Sequence, residues 1–257
     1  MTNDGAKTDE IFWYHSIALG DETTPGQKSP ELLDQEWNEL GIPPLRGKTV
    51  LDIGAWDGYF SFRAEREGAA RVVALDHYVW CTRLVEQQAY YRRTRNTGED
   101  YVAPHLNPAM WDPRALPGRA GFDFARSRLG SQVEAAVIDF ANDDLSGLGT
   151  FDVVIFAGVL YHLEDPMGAI RRLASLTNEV AIIRTVAVHV PRVNSAMWEF
   201  YPGAELEGDP SNWWAPNRSA LEGAVMATGF RNFVPRSETP TGEDTVVRYI
   251  LTAQAWK

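Results

Sequence analysis

Residues 50–58 read Val-Leu-Asp-Ile-Gly-Ala-Trp-Asp-Gly. An apolar run carries an acid, two glycines bracket a turn, and a helix-forming stretch follows from Tyr59 to Glu67. The pattern predicts a strand, a tight turn and a helix, with Gly54 and Gly58 letting a ligand approach the backbone. Eighteen residues past Gly58, a second apolar run from Arg71 ends in Asp76. An acid about 20 residues beyond a glycine turn suits hydrogen bonds to ribose hydroxyls. Asp52, Gly54, Ala55, Trp56, Asp57, Gly58, Asp76 and His77 are therefore candidates for a nucleoside site. The alternative is a core turn that holds no ligand.

The glycine spacing narrows the nucleoside. Dinucleotide folds use G-x-G-x-x-G, with a pyrophosphate over the helix N-terminus. Here three residues separate Gly54 from Gly58, and one of them is Asp57. Asp52 and Asp57 would repel a pyrophosphate and suit a ligand with positive charge, such as an ammonium or a sulfonium. The loop resembles the first motif of class I S-adenosylmethionine-dependent methyltransferases. That resemblance implies S-adenosyl-L-methionine as cofactor.

At 257 residues the chain fits one domain, or one domain with an insertion. A net charge of −11 opposes a nonspecific grip on nucleic acid. Arg92, Arg93 and Arg95 form either a local basic patch or a solvated helix face. Cys81 is the only cysteine, so no internal disulfide forms. Residues 1–10 are polar and read as disordered, with no signal-peptide core, and no apolar run approaches a membrane span. The expected setting is cytoplasmic, with no membrane partner. The oligomeric state stays open, a dimer included.

Further along, Ser29 and Pro30 open a helix that Gly41 closes. Strands are expected at 71–76, 132–139, 151–158, 179–186, 233–237 and 245–256. Helices are expected at 121–129, 165–176 and 219–228. Strands alternating with helices predict an α/β fold with a mostly parallel sheet covered on both faces. Residues 1–45 read as an N-terminal lid segment and helix, and 46–257 as the main domain. Two stretches exceed what the sheet needs: an insertion over about 79–117 and a loop over about 190–216, both rich in aromatics. They are either binding lids or surface extensions of the core.

Ligands of open parallel sheets bind beyond the strand C-termini. Asp139, Phe140 and Ala157 fall there. Asp139 could reach an adenine amino group and Phe140 could cover the adenine face. Gly158-Val159-Leu160-Tyr161-His162 comes next, followed by a helix opened by Pro166. With Tyr14-His15-Ser16-Ile17 and Thr24-Pro25-Gly26 upstream, this resembles the methyltransferase branch related to tRNA wobble-uridine carboxymethyltransferases, over roughly residues 12–190. The resemblance implies a Rossmann-like doubly wound sheet with an antiparallel C-terminal edge strand, and it places Tyr161 near the sulfonium.

The chain departs from that branch in its acidity, in lacking a clear match to the basic residues that hold a carboxylated cofactor, and in its two aromatic stretches. These departures favour a small aromatic or hydrophobic acceptor over tRNA, with Tyr14, Tyr201, Trp213 and Trp214 as its contacts. An alcohol or phenol acceptor needs a base, and His162 and His15 are the candidates. A structural role is the alternative for each. No metal is expected, because the fourth strand ends in Ala157-Gly158 rather than in an acid. O-methylation of a natural-product-like molecule is the first reading; a tRNA-modifying enzyme and a non-catalytic nucleoside-binding module are the others.

Overall fold

The computed structural model describes residues 11–99, 101–240 and 245–257. The expected disorder of residues 1–10 lies outside the described residues. Helix α1 (Pro30–Leu40) starts where Ser29 Oγ accepts the Leu32 N–H at 3.3 Å, and stops at Gly41 in the left-handed region, φ 59°. Strand β1 (Thr49–Ile53) leads into α2 (Tyr59–Arg66), and β2 (Arg71–Asp76) follows. The expected insertion contains α3 (Tyr78–Cys81) and α4 (Leu84–Thr97). Then come α5 (Ala120–Leu129), β3 (Glu134–Val137), β4 (Phe151–Ala157), α6 (Pro166–Leu176) and β5 (Thr177–His189). The second long stretch forms a two-stranded ribbon of β6 (Trp198–Phe200) and β7 (Trp214–Pro216). The chain continues through α7 (Arg218–Ala227), β8 (Asn232–Pro235) and β9 (Val247–Trp256).

The main sheet runs β3-β2-β1-β4-β5-β9-β8. The first five are mutually parallel; β9 is antiparallel to both neighbours. The last strand thus supplies the expected antiparallel member but lies one position in from the edge, which β8 occupies. Alternating residues of the central strands feed two cores. Leu51, Ile53, Val154, Phe156, Ala181 and Ile183 pack with α6 and α7. Val50, Val153, Ile155, Val180 and Ile182 pack with α1, α2 and α5.

Register sets where a ligand can sit. Ile53 pairs with Leu75 and Phe156, and Phe156 pairs with Ile183. The next row therefore holds Gly54, Asp76, Ala157 and Arg184 side by side. The strand order reverses between β1 and β4, so the crevice opens at the switch point of the sheet. Helix α6 opens on a local cap: Asp165 Oδ1 accepts the Gly168 N–H at 2.8 Å. A Cβ on Gly168 would stand 2.1 Å from Asp165 Oδ2, so a larger residue there would push the capping carboxylate aside. Leu173, fully buried between α6 and the sheet, is a direct probe of this layer. Leu173→Ala should cost about 2–5 kcal/mol, read as a lower denaturation midpoint in urea with an unchanged slope.

Candidate functional site

The β1–α2 loop lies on β2. The N–H groups of Gly54 and Ala55 donate to the Leu75 carbonyl at 2.8 and 3.2 Å. Gly54 has φ 78°, and a Cβ there would approach Val159 Cγ2 to 2.5 Å. Gly58 has φ 89°, and a Cβ there would strike Phe62 and Phe122 at 2.7 Å. Trp56 also has positive φ, 53°, an unfavourable conformation for a side chain of that size. Two bonds hold it there: its N–H donates to Asp76 Oδ2 at 3.0 Å, and Trp80 Nε1 donates to its carbonyl at 2.6 Å. Its own indole Nε1 is buried with no acceptor among the described residues.

The three acids of this region have different partners. Asp76 is 4% exposed and accepts the N–H groups of Trp56 and Val79, each at 3.0 Å. Burial raises its carboxyl to about 6 against the pull of those bonds. Asp52 is also buried, and burial likewise raises it to about 6, opposed by the Ser61 hydroxyl that donates to it at 2.6 Å. It therefore faces the first turns of α2 instead of the crevice. Asp57 turns toward the N-terminal segment. Its Oδ2 accepts the N–H groups of Tyr14 and His15 at 2.9 Å each, and its Oδ1 meets His15 Nδ1.

Beyond β3, Asp139 closes its own turn, accepting from the Ala141 N–H at 2.9 Å and the Asn142 side chain at 2.9 Å. Phe140 is buried against Phe156, under the Arg172 guanidinium, so its ring belongs to the core and does not stand over the crevice. His77 sets its ring edge against Trp111 of the segment after α4. Ala157 ends β4, and Gly158 follows, exposed, with φ 77°. The Tyr161 hydroxyl points back at Gly158, 3.6 Å from where a Cβ would be. Burial raises this phenol far above its usual range, and Tyr14, Glu207 and Asp209 add to the effect, so it stays protonated.

His162 Nδ1 lies 3.0 Å from the Ser211 carbonyl. A carbonyl only accepts, so Nδ1 carries the proton. Burial lowers the imidazole pKa, and the ring is neutral at physiological pH. Tyr14 stacks on Trp56 at 4.2 Å and 14°, with the Lys28 ammonium over its ring at 5.0 Å. Trp213 donates its N–H to the Tyr161 carbonyl at 2.8 Å, and Trp214 Nε1 donates to the Glu164 carbonyl at 3.1 Å. Both rings lie against exposed Phe200. Tyr201 does not join them. It is 3% exposed, packs with Val186, Val188 and Leu206, and bonds Glu199 at 2.5 Å and Arg248 at 2.8 Å. It supports the ribbon from below.

Sequence reading missed Glu207 and Asp209. Asp209 holds the N–H and hydroxyl of Ser211 at 2.9 and 2.7 Å, and its charge bears on Tyr78, Tyr91, Tyr101, Tyr161 and His162. The acidic run 205–209 between two aromatic segments was the available signal. Among the described residues, no group of three His, Cys, Asp or Glu could hold a metal ion, and no helix is long and apolar enough to cross a membrane.

A family model described as a methyltransferase domain matches residues 27–233. The chain is 25% identical over 203 residues to the tRNA U34 carboxymethyltransferase of Alteromonas mediterranea, covering 77% of this chain and 50% of that one. It is 28% identical over 183 residues to the tRNA U34 carboxymethyltransferase of Dichelobacter nodosus, covering 69% and 44%. The chain thus spans about half the length of these curated relatives. Among solved structures, the N-terminal domain of EvdMO1 in the presence of SAH and D-fucose is similar with a TM-score of 0.59 at 15% identity, covering 95% of this chain and 91% of that one. An O-methyltransferase family protein from Burkholderia thailandensis gives 0.51 at 16% identity, covering 87% and 56%. At such identities the likeness is one of fold. The family match, by contrast, runs from the residues before α1 into β8 and takes in every element of the crevice. The chain belongs to the methyltransferase-domain family.

Proposed function

We propose that the chain uses S-adenosyl-L-methionine to methylate a small organic acceptor at oxygen. The observation that carries this reading is the set of strand ends at the sheet switch point: bare Gly54, ionisable Asp76 and, one residue past Ala157, bare Gly158 beside the Tyr161 hydroxyl. The residues present suit the cofactor. Asp76 would hold the ribose hydroxyls, and the backbone of the turn from Gly54 to Trp56 would receive the methionine part. The unpartnered indole N–H of Trp56 offers a donor there. The Asp139–Phe140 turn would meet adenine through its backbone, because the Phe140 ring is committed to the core. When bound, the cofactor supplies a methyl group on a positively charged sulfur.

The chain's own residues then have three tasks. Tyr161, kept protonated, donates a hydrogen bond at the transfer site. Trp213 and Trp214 present aromatic faces to an apolar acceptor, and Tyr14, its ring engaged by Trp56 and Lys28, offers its edge and hydroxyl. His162 takes the acceptor's proton at Nε2, since its Nδ1–H is spent on Ser211; a neutral imidazole is the form a base requires. The name of the curated relatives favours a second reading, action on tRNA. Against it, Arg93 pairs with Glu99 and lies over the Tyr90 ring, and Arg95 packs beside Gly208, so the α4 cluster is only partly free to meet phosphates. A non-catalytic nucleoside-binding module would bind the cofactor and turn over no acceptor.

Calorimetry with S-adenosylhomocysteine should give a 1:1 complex, and Asp76→Asn should weaken it about 10- to 100-fold, the worth of hydrogen bonds to a charged group. Wild-type affinity should decline as pH falls through about 6, where Asp76 takes up its proton. No binding, or no effect of Asp76→Asn, defeats the cofactor assignment. Filter binding to bulk tRNA at two salt concentrations should show weak binding; tight binding with a steep salt slope favours the tRNA reading. With an acceptor in hand, His162→Gln should lower kcat by about 100-fold or more, with cofactor affinity retained.

A further inference from the structure

The acid in the middle of the glycine loop does not face the crevice. Asp57 is 1% exposed, and all its bonds run to the N-terminal segment 43 and 42 residues upstream. Oδ2 collects two consecutive backbone N–H groups, those of Tyr14 and His15, while Oδ1 meets the His15 ring, itself 4% exposed. Charge-assisted bonds of this kind are among the stronger ones in a folded chain. Behind the carboxylate, Gly121 of α5 packs so closely that a Cβ on it would stand 3.4 Å from the Asp57 Cβ. Both carboxylate oxygens are thus engaged by the N-terminal segment.

The segment is held in place from its other side as well. Thr24 Oγ1 accepts the Ile17 N–H at 2.8 Å and donates to the His15 carbonyl at 2.9 Å, and the Lys28 N–H donates to the Tyr14 carbonyl at 2.9 Å. What Asp57 adds is a direct tie to the loop that carries Trp56. One residue before the tied imidazole, Tyr14 lies flat on Trp56 at 4.2 Å.

We infer that Asp57 and His15 are positioning residues, which clamp the N-terminal segment onto the glycine loop and so hold Tyr14 against Trp56. The clamp joins the acceptor wall to the cofactor loop. It rests on the methyltransferase reading for the identity of the two sites, while its geometry stands apart from that reading. His15 then acts through Tyr14, and Asp57 acts on the lid in place of the sulfonium.

Hydrogen exchange of the Tyr14 and His15 amides reads the clamp directly, and calorimetry with S-adenosylhomocysteine reads the cofactor site. In Asp57→Asn and His15→Leu, those two amides should exchange at least tenfold faster. In His15→Asn, whose amide nitrogen falls near the former Nδ1, most of the protection should return. Homocysteine-nucleoside affinity should stay within about threefold of wild type in all three. The ligand should slow exchange of these amides in wild type and not in His15→Leu. A tenfold loss of affinity in Asp57→Asn makes Asp57 a cofactor ligand and overturns the inference, as does exchange that the variants leave unchanged. Should Asp57→Asn fail to fold, the two His15 variants carry the same test. Wild type that binds no S-adenosylhomocysteine defeats the methyltransferase reading, while exchange without ligand still decides the clamp.

Discussion

Asp76 accepts the backbone N–H groups of Trp56 and Val79 at the end of β2, and those two bonds join the three segments that build the site. The glycine loop needs them because Trp56 is held at positive φ. The segment after β2 needs them because α3 starts there, two residues past the strand. Without a carboxylate at this place, the strained tryptophan would keep only its bond from Trp80, and the start of α3 would lose its acceptor. The register of β1, β2 and β4 puts that anchor beside Gly54 and Ala157. The crevice is therefore set by backbone pairing before any ligand is considered.

Such an arrangement has an energetic cost. Asp52 and Asp76 are buried with carboxyls raised to about 6, so each binds its proton more tightly in the folded chain than in the unfolded one. Their contribution to stability is full below the ordinary carboxylate range and is lost as pH rises through about 6. At neutral pH the fold carries two desolvated charges, offset by Ser61 on one side and by backbone N–H groups on the other. Of the two, Asp76 lies at the strand ends beside Gly54, while Asp52 is turned to Ser61 of α2.

Most of the fold was legible in sequence. Strand β2 fell on 71–76 as expected, and the ends of α1 were marked by Ser29, Pro30 and Gly41, because period, caps and glycine chemistry act locally. The antiparallel C-terminal edge was foreseen as a pair of strands; that β8 and not β9 takes the outermost place is decided by packing across the whole sheet. The site was legible as a set of positions and less so as a set of roles. Sequence shows that Asp57 is an acid in a glycine loop; it cannot show that His15, 42 residues away, reaches it first. The same limit applies to Phe140, which reads as a cover for adenine yet fills space against Phe156, and to Tyr201, whose hydroxyl belongs to Glu199 and Arg248. Glu207 and Asp209 were missed because an acidic run between aromatics reads as solvated loop until folding brings it to Tyr161.

The segment from Pro202 to Ser211 is stitched down at both ends. Tyr201 pins one end to β9 through Arg248, and the Ser211 and Trp213 backbone pins the other to His162 and Tyr161. Between the stitches lie mostly exposed or half-buried residues, with Leu206 as the single apolar plug. The charges of this span, Glu207 and Asp209, reach Tyr161 from outside the sheet, while the row of Gly54, Asp76 and Ala157 is set by strand register alone. The span is thus held by its two ends and by one plug, and its remaining side chains are free of the sheet that forms the crevice.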